Sequence, residues 1–144
     1  MKRMVTACII ALLVFGSAVF LLPRSFDSLI DAQLCGLCVM RVPLDLTQSG
    51  DDTFYEQTPE TTQKVLQLLR GYRYSRLWLD KAQPYSQGAL LFLLFQEEDK
   101  SDTFQLIFDG ALLFCRSGKD ERYYRVLGGS ALFDALNGLV EVGA

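Results

Sequence analysis

Gly88-Ala89-Leu90-Leu91-Phe92-Leu93-Leu94-Phe95-Gln96-Glu97 is the stretch whose reading decides the fold. The apolar run inside it, Ala89 to Phe95, is seven residues long. As a helix it would cover only about 10 Å, far short of a bilayer core. As a strand it has no polar face to turn to water. It is therefore expected in the middle of a sheet, buried on both sides.

Downstream, the charged residues Glu97 to Asp102 read as a turn. Thr103–Phe108 and Ala111–Arg116 then flank Asp109-Gly110, a dipeptide that signals a two-residue hairpin. Ser117-Gly118-Lys119-Asp120 makes the next turn, and Arg122–Leu127 the last strand. Ser130 is expected to cap a closing helix with the apolar stripe Leu132, Phe133, Leu136, Leu139 and Val140.

Upstream, Tyr74–Leu79 reads as a strand, preceded by the clearest helix in the chain. Thr58 suits its N-cap, Pro59 its first position and Glu60 its positive end. Val65, Leu68 and Leu69 form its stripe with Leu66 beside them, and Gly71 stops it after Arg70. Gln33–Leu46 reads as the first strand, Gln48–Asp52 as a loop, and Phe54–Glu56 as a short extended piece. Short connections between consecutive strands require antiparallel pairing. The expected fold class is α+β: a mainly antiparallel sheet of about five strands, one helix after the first strand, and a closing C-terminal helix.

The N-terminal segment sets the domain organisation. Lys2 and Arg3 precede an uncharged apolar run from Met4 to Leu22. That run is long enough, at roughly 28 Å of helix, to approach the thickness of a bilayer core. Basic residues stay on the cytoplasmic side, so the N-terminus is expected inside and the rest of the chain outside, at the cell membrane. Gly16-Ser17-Ala18 resembles a signal cleavage site, which leaves secretion after cleavage as the alternative. Val19-Phe20-Leu21-Leu22 continues the apolar run past it and favours a retained, single-pass anchor. Cys8 sits too early for a lipoprotein box and reads as an apolar cysteine. The expected organisation is an anchor over 1–23, a juxtamembrane stretch over 24–32 that extends the helix or packs on the domain, and an extracytoplasmic domain over 33–144.

Half the chain is hydrophobic and 12% is aromatic, so a packed domain is expected rather than a disordered tail. Of 14 basic residues, two precede the apolar run; the remaining 12 face 17 acidic ones, a net charge of −5. That balance argues against nucleic acid or an anionic surface as the main partner. The chain has no histidine. Serine–histidine and cysteine–histidine nucleophiles and histidine metal sites are thereby excluded.

Cys35-Gly36-Leu37-Cys38 has the spacing of a redox dithiol. Such chemistry needs the first thiol at a helix N-terminus, and here the motif lies in an expected strand, where residues three apart point to opposite faces. A disulfide from Cys35 or Cys38 to Cys115 fits if their strands are neighbours; buried thiols are the plainer reading. A second candidate is a binding surface of Tyr72, Tyr74, Arg76 and Trp78, aligned on one face if alternation holds, with Arg70 and Arg73 nearby. Its plain alternative is a core Trp78 with a solvated arginine rim. Glu97, Glu98, Asp99 and Asp102 read as a solvated hairpin tip rather than catalytic carboxylates or a calcium site.

The layout resembles small membrane-anchored domains of unknown function found in Gram-positive bacteria. The resembling residues are the anchor, the strand near Leu34–Val42, the Thr58-Pro59-Glu60 helix start, the Asp109-Gly110 hairpin and the strand Tyr123–Val126. The resemblance implies no catalytic residue and transfers no function, and Cys35 and Cys38 depart from its pattern; no cofactor or metal is expected. The expected function is a non-catalytic interaction module at the cell envelope. It is held by residues 4–22, takes a protein partner and binds no nucleic acid. The alternatives are a thiol–disulfide oxidoreductase using Cys35 and Cys38, or an accessory domain that positions a neighbouring envelope protein.

Overall fold

The computed structural model describes residues 2–30, 36–42, 54–77, 88–95, 104–117 and 120–140. Within them, α1 (Lys2–Leu21) leads into a single 3-10 turn at Phe26–Ser28. Next come β1 (Gly36–Arg41), β2 (Tyr55–Glu56), α2 (Pro59–Arg70) and β3 (Arg73–Leu77). The meander β4 (Leu90–Phe95), β5 (Phe104–Phe108), β6 (Leu112–Ser117) and β7 (Asp120–Leu127) follows, and α3 (Gly129–Leu139) closes the fold.

The architecture is α+β, with an antiparallel sheet of seven strands in the order β2-β1-β4-β5-β6-β7-β3. The expected count of about five was low: the short extended piece at Phe54–Glu56 is a strand, β2, paired with β1, and all six segments read as strands from the sequence join the sheet. Strand β4 has the central place expected of it: Leu90, Leu91, Phe92 and Leu94 are all buried. β2 and β3 lie at opposite edges, so α2 carries the chain from one side of the sheet to the other.

Register assigns the faces. Leu37 and Val39 of β1 stand opposite Leu94 and Phe92 of β4, which stand opposite Phe104 and Leu106 of β5. Across β6 and β7 the same face continues through Leu113, Cys115, Tyr124 and Val126 to Tyr74 of β3. These side chains form one core with Val65, Leu66 and Leu69 of α2 and Leu132 and Leu136 of α3. Both helices therefore cover one face of the sheet. The other face carries an apolar row, Met40-Leu91-Ile107-Phe114-Tyr123-Leu77, one residue from each of six successive strands. Leu91, Phe114 and Tyr123 are buried there too.

Local chemistry accounts for the helix ends. Thr58 caps α2 as expected, its side chain accepting a hydrogen bond from the Thr61 N–H at 3.2 Å. The buried stripe of α2 is Thr62, Val65, Leu66 and Leu69; Leu68, expected in the stripe, is only partly buried. α3 begins differently from expectation. Ser130 lies inside the helix, and Gly128, at φ 74°, takes the cap position without a side-chain bond. Gly129 follows because α3 starts hard against the β5–β6 turn, where a Cβ would collide with the Gly110 carbonyl oxygen.

That turn also corrects the expected hairpin. Phe108 pairs with Leu113, and the Asp109 N–H donates to the Leu112 carbonyl at 3.3 Å. The tight loop is thus Gly110-Ala111, one residue later than Asp109-Gly110. Asp109 Oδ1 accepts from the Ala111 and Leu112 N–H groups at 2.9 and 2.8 Å, and Gly110 takes φ 93°. The carboxylate replaces a backbone partner, which shifts the register from the one the dipeptide alone suggests.

Among the described residues, no helix is long and apolar enough to cross a membrane. The side chains described along α1 run from Met4 to Ser17, only about 21 Å of helix axis. The expected membrane-crossing helix is therefore not shown. Past α1, the stretch from Arg24 packs on the domain instead of prolonging the helix. Phe26, Leu29 and Ile30 are buried, and Phe26 and Tyr74 lie with ring centroids 5.9 Å apart. Arg24 pairs with Tyr74 beyond the outer edge of β3: its N–H donates to the Tyr74 carbonyl at 2.8 Å, and its carbonyl accepts from the Tyr74 N–H at 3.0 Å.

Candidate functional site

The helical face of the sheet is apolar over most of its width and turns polar at one end. The row Leu106-Cys115-Arg122 and the row Phe104-Ser117-Asp120 run across β5, β6 and β7 there. The turn at Asp27–Leu29 closes over them, leaving a cleft of about 470 Å³. Two ion pairs rim it: Arg70 Nε to Asp27 Oδ1 at 2.8 Å, and Arg122 Nη2 to Asp120 Oδ2 at 3.4 Å. Both pairs are solvent-exposed, so each contributes little to stability.

Cys115 sits at the apolar margin of this cleft, 4% exposed. Burial pushes its thiol up to about 11, against a smaller opposing effect of Arg122. At neutral pH the nucleophilic thiolate is then only about one part in ten thousand. Each carboxylate at the rim is already engaged by a guanidinium. The cleft can hold a small polar group; it does not present an activated nucleophile or a free acid–base pair. Among the described residues, no group of three His, Cys, Asp or Glu side chains could hold a metal ion.

The Cys-Gly-Leu-Cys motif is built into β1. Cys35 lies outside the described residues. Cys38 is half-buried, standing across from Glu56 on one side and Leu93 on the other. Phe95 covers Gly36 so closely that any Cβ there would strike its ring. The redox arrangement with a helix N-terminus behind the thiol is not what β1 provides for Cys38. A bridge from Cys38 to Cys115 is excluded by topology. β4 and β5 separate their strands, a span of about 14 Å. The two side chains also sit on opposite faces, and the Cys115 thiol is unbridged.

The expected surface of Tyr72, Tyr74, Arg76 and Trp78 is not brought together as one. Tyr74 is fully buried, and its hydroxyl donates to the Leu69 carbonyl at 2.7 Å. Desolvation raises its pKa well above the ordinary tyrosine range. Tyr72 is half-buried beside Gly128, Arg76 is half-buried, and Trp78 lies outside the described residues. The acidic run Glu97–Asp102 lies outside them too.

What sequence reading missed is the other side of β3. Arg73 stands opposite Leu127, and Ser75 opposite Arg125, on the face away from the helices. Arg73 and Arg125 are exposed, and Leu127 is 48% exposed. Alternation was the right signal; attention to the aromatic residues selected the buried set. No family model matches this chain, and comparison with curated proteins and with solved structures finds no match to either.

Proposed function

We propose that this chain is a membrane-anchored, extracytoplasmic interaction module, held by α1 with its N-terminus in the cytoplasm and presenting its sheet domain to a protein partner at the cell envelope. The observation that carries the reading is the surface of α1. Met4, Leu12, Leu13 and Phe15 are between 68% and 76% exposed, and no acidic residue lies in its first turn. Apolar side chains all around a helix fit lipid far better than water. The full 20 residues of α1 correspond to about 30 Å of axis. Binding is favoured over catalysis because the cleft thiol is held protonated and both rim carboxylates are paired. The thiol–disulfide alternative would need an activated thiol, and burial disfavours the thiolate of Cys115.

The test has two parts. The full chain is expected in the alkaline-carbonate-resistant membrane fraction, with a C-terminal reporter active only outside the cytoplasm. A reporter active in the cytoplasm would overturn the topology. Crosslinking in intact cells is expected to capture a discrete protein partner, and thiol titration to find no reactive, reducible pair at Cys35 and Cys38.

A further inference from the structure

We infer that the β3 edge of the sheet rests on the bilayer surface, with Arg73 and Arg125 against anionic phospholipid headgroups and Leu127 turned toward the lipid. This rests on the anchor reading of α1. The backbone argument comes first. α1 ends at Leu21, and by Arg24 the chain is already hydrogen-bonded to Tyr74 at 2.8 and 3.0 Å. Only Leu22 and Pro23 intervene, so Arg24 lies at most about 11 Å from the last helical residue. Proline stiffens even that link. A headgroup layer is roughly 5–8 Å deep on each side of the hydrocarbon. A helix ending at that level leaves no tether, and the outer edge of β3 meets the headgroups.

Charge is the second, independent observation. The chain is acidic overall, at net −3. Yet Arg24, Arg73, Arg76 and Arg125 are the charged side chains among Arg24–Phe26, β3 and the part of β7 that pairs with it, Tyr123 to Leu127. No acidic residue lies in those segments. On the face away from the helices, Arg125 is the diagonal neighbour of Arg73, about 7–8 Å away. Such a spacing of like charges is relieved by a shared anionic partner. Among the described residues past α1, Leu127 beside them is one of the few large apolar side chains left exposed. Arginine flanking an exposed leucine is the composition of an interfacial contact. The local surface is thus cationic although the domain is acidic, which reconciles a lipid contact with the overall balance.

The experiment uses the full chain reconstituted into vesicles, with a benzophenone amino acid placed singly at position 127, 55 or 15. Vesicles of phosphatidylglycerol and phosphatidylcholine are compared with phosphatidylcholine alone. Position 55 is on β2, at the opposite edge of the sheet, and 39% exposed in the native chain. The expected result is lipid adducts at 127 and not at 55. The yield at 127 should be several-fold higher with phosphatidylglycerol and should fall roughly tenfold in Arg73→Glu/Arg125→Glu. Adducts at 15 without adducts at 127, or equal yields at 127 and 55, overturn the inference and leave the anchor standing. A protein adduct at 127 in native membranes overturns it as well. Absence of lipid adducts at 15 removes the anchor reading and the inference with it.

Discussion

Replacing Tyr74 separates a core role from a surface role. Its ring is fully buried against Phe26, and its hydroxyl donates to the carbonyl of Leu69 in the last turn of α2. Tyr74→Phe removes only that hydrogen bond. The Leu69 carbonyl keeps a long bond from the Tyr72 N–H at 3.4 Å, so the expected loss is about 1 kcal/mol. Tyr74→Ala also removes the ring and leaves a cavity between the first turn of the domain, α2 and the sheet. The expected loss is about 3–5 kcal/mol, a large part of a small domain's stability. The assay is equilibrium urea unfolding of the full chain in a mild detergent, followed by far-UV circular dichroism. The order wild type, Phe, Ala should appear with well-separated midpoints. If Tyr74→Ala unfolds within about 0.5 kcal/mol of wild type, as an exposed side chain would, the core assignment is wrong.

Cys115 couples stability to pH. Its folded thiol is raised to about 11 from an ordinary value of 9, so its contribution is complete below pH 9 and lost as pH rises through 11. Cys115→Ala should flatten that alkaline decline in pH-dependent unfolding, and an unchanged slope would contradict the burial. Among the described residues, Thr62 Oγ1 is buried without a hydrogen-bond partner; Thr62→Val keeps the shape and should stabilise by about 1 kcal/mol, read as a higher thermal midpoint. Thr58→Ala removes the cap of α2 and should cost about 1 kcal/mol by urea unfolding. Gly129→Ala forces a methyl into the Gly110 carbonyl and should destabilise by about 1–3 kcal/mol, while Gly138→Ala, in open space on the same helix, should not.

Much of the architecture is legible because single elements declare themselves. The double-sided apolar run of β4 places itself at the centre of a sheet, and Thr58-Pro59 marks the start of α2 within a residue. What escapes is whatever depends on a side chain acting on backbone. The Asp109 carboxylate moves the β5–β6 register, and left-handed Gly128 displaces Ser130 from the cap. Tyr74 shows the limit for sites: its residue type suggests a binding surface, but its hydroxyl has a partner five residues back and the whole side chain is interior. The cleft is illegible from sequence for a simpler reason. Asp27, Phe104, Cys115 and Arg122 come from separate segments, and only the pairing of β5, β6 and β7 brings the last three together.

The position of β3 has a consequence for how the chain is assembled. Among the described strands, the neighbour of residues 73–77 is 123–127, fifty residues later in synthesis. As the chain emerges, α1 and α2 can form at once, while β3 waits for the final strand. During that interval Arg24 covers one edge of β3 and the other is open. Such delayed, non-local pairing slows folding and exposes edges to wrong partners. A nascent chain stopped before residue 120 would leave β3 without its neighbour, so the closing of the sheet, rather than the collapse of the core, is expected to be the step at which the chain becomes safe from misassembly.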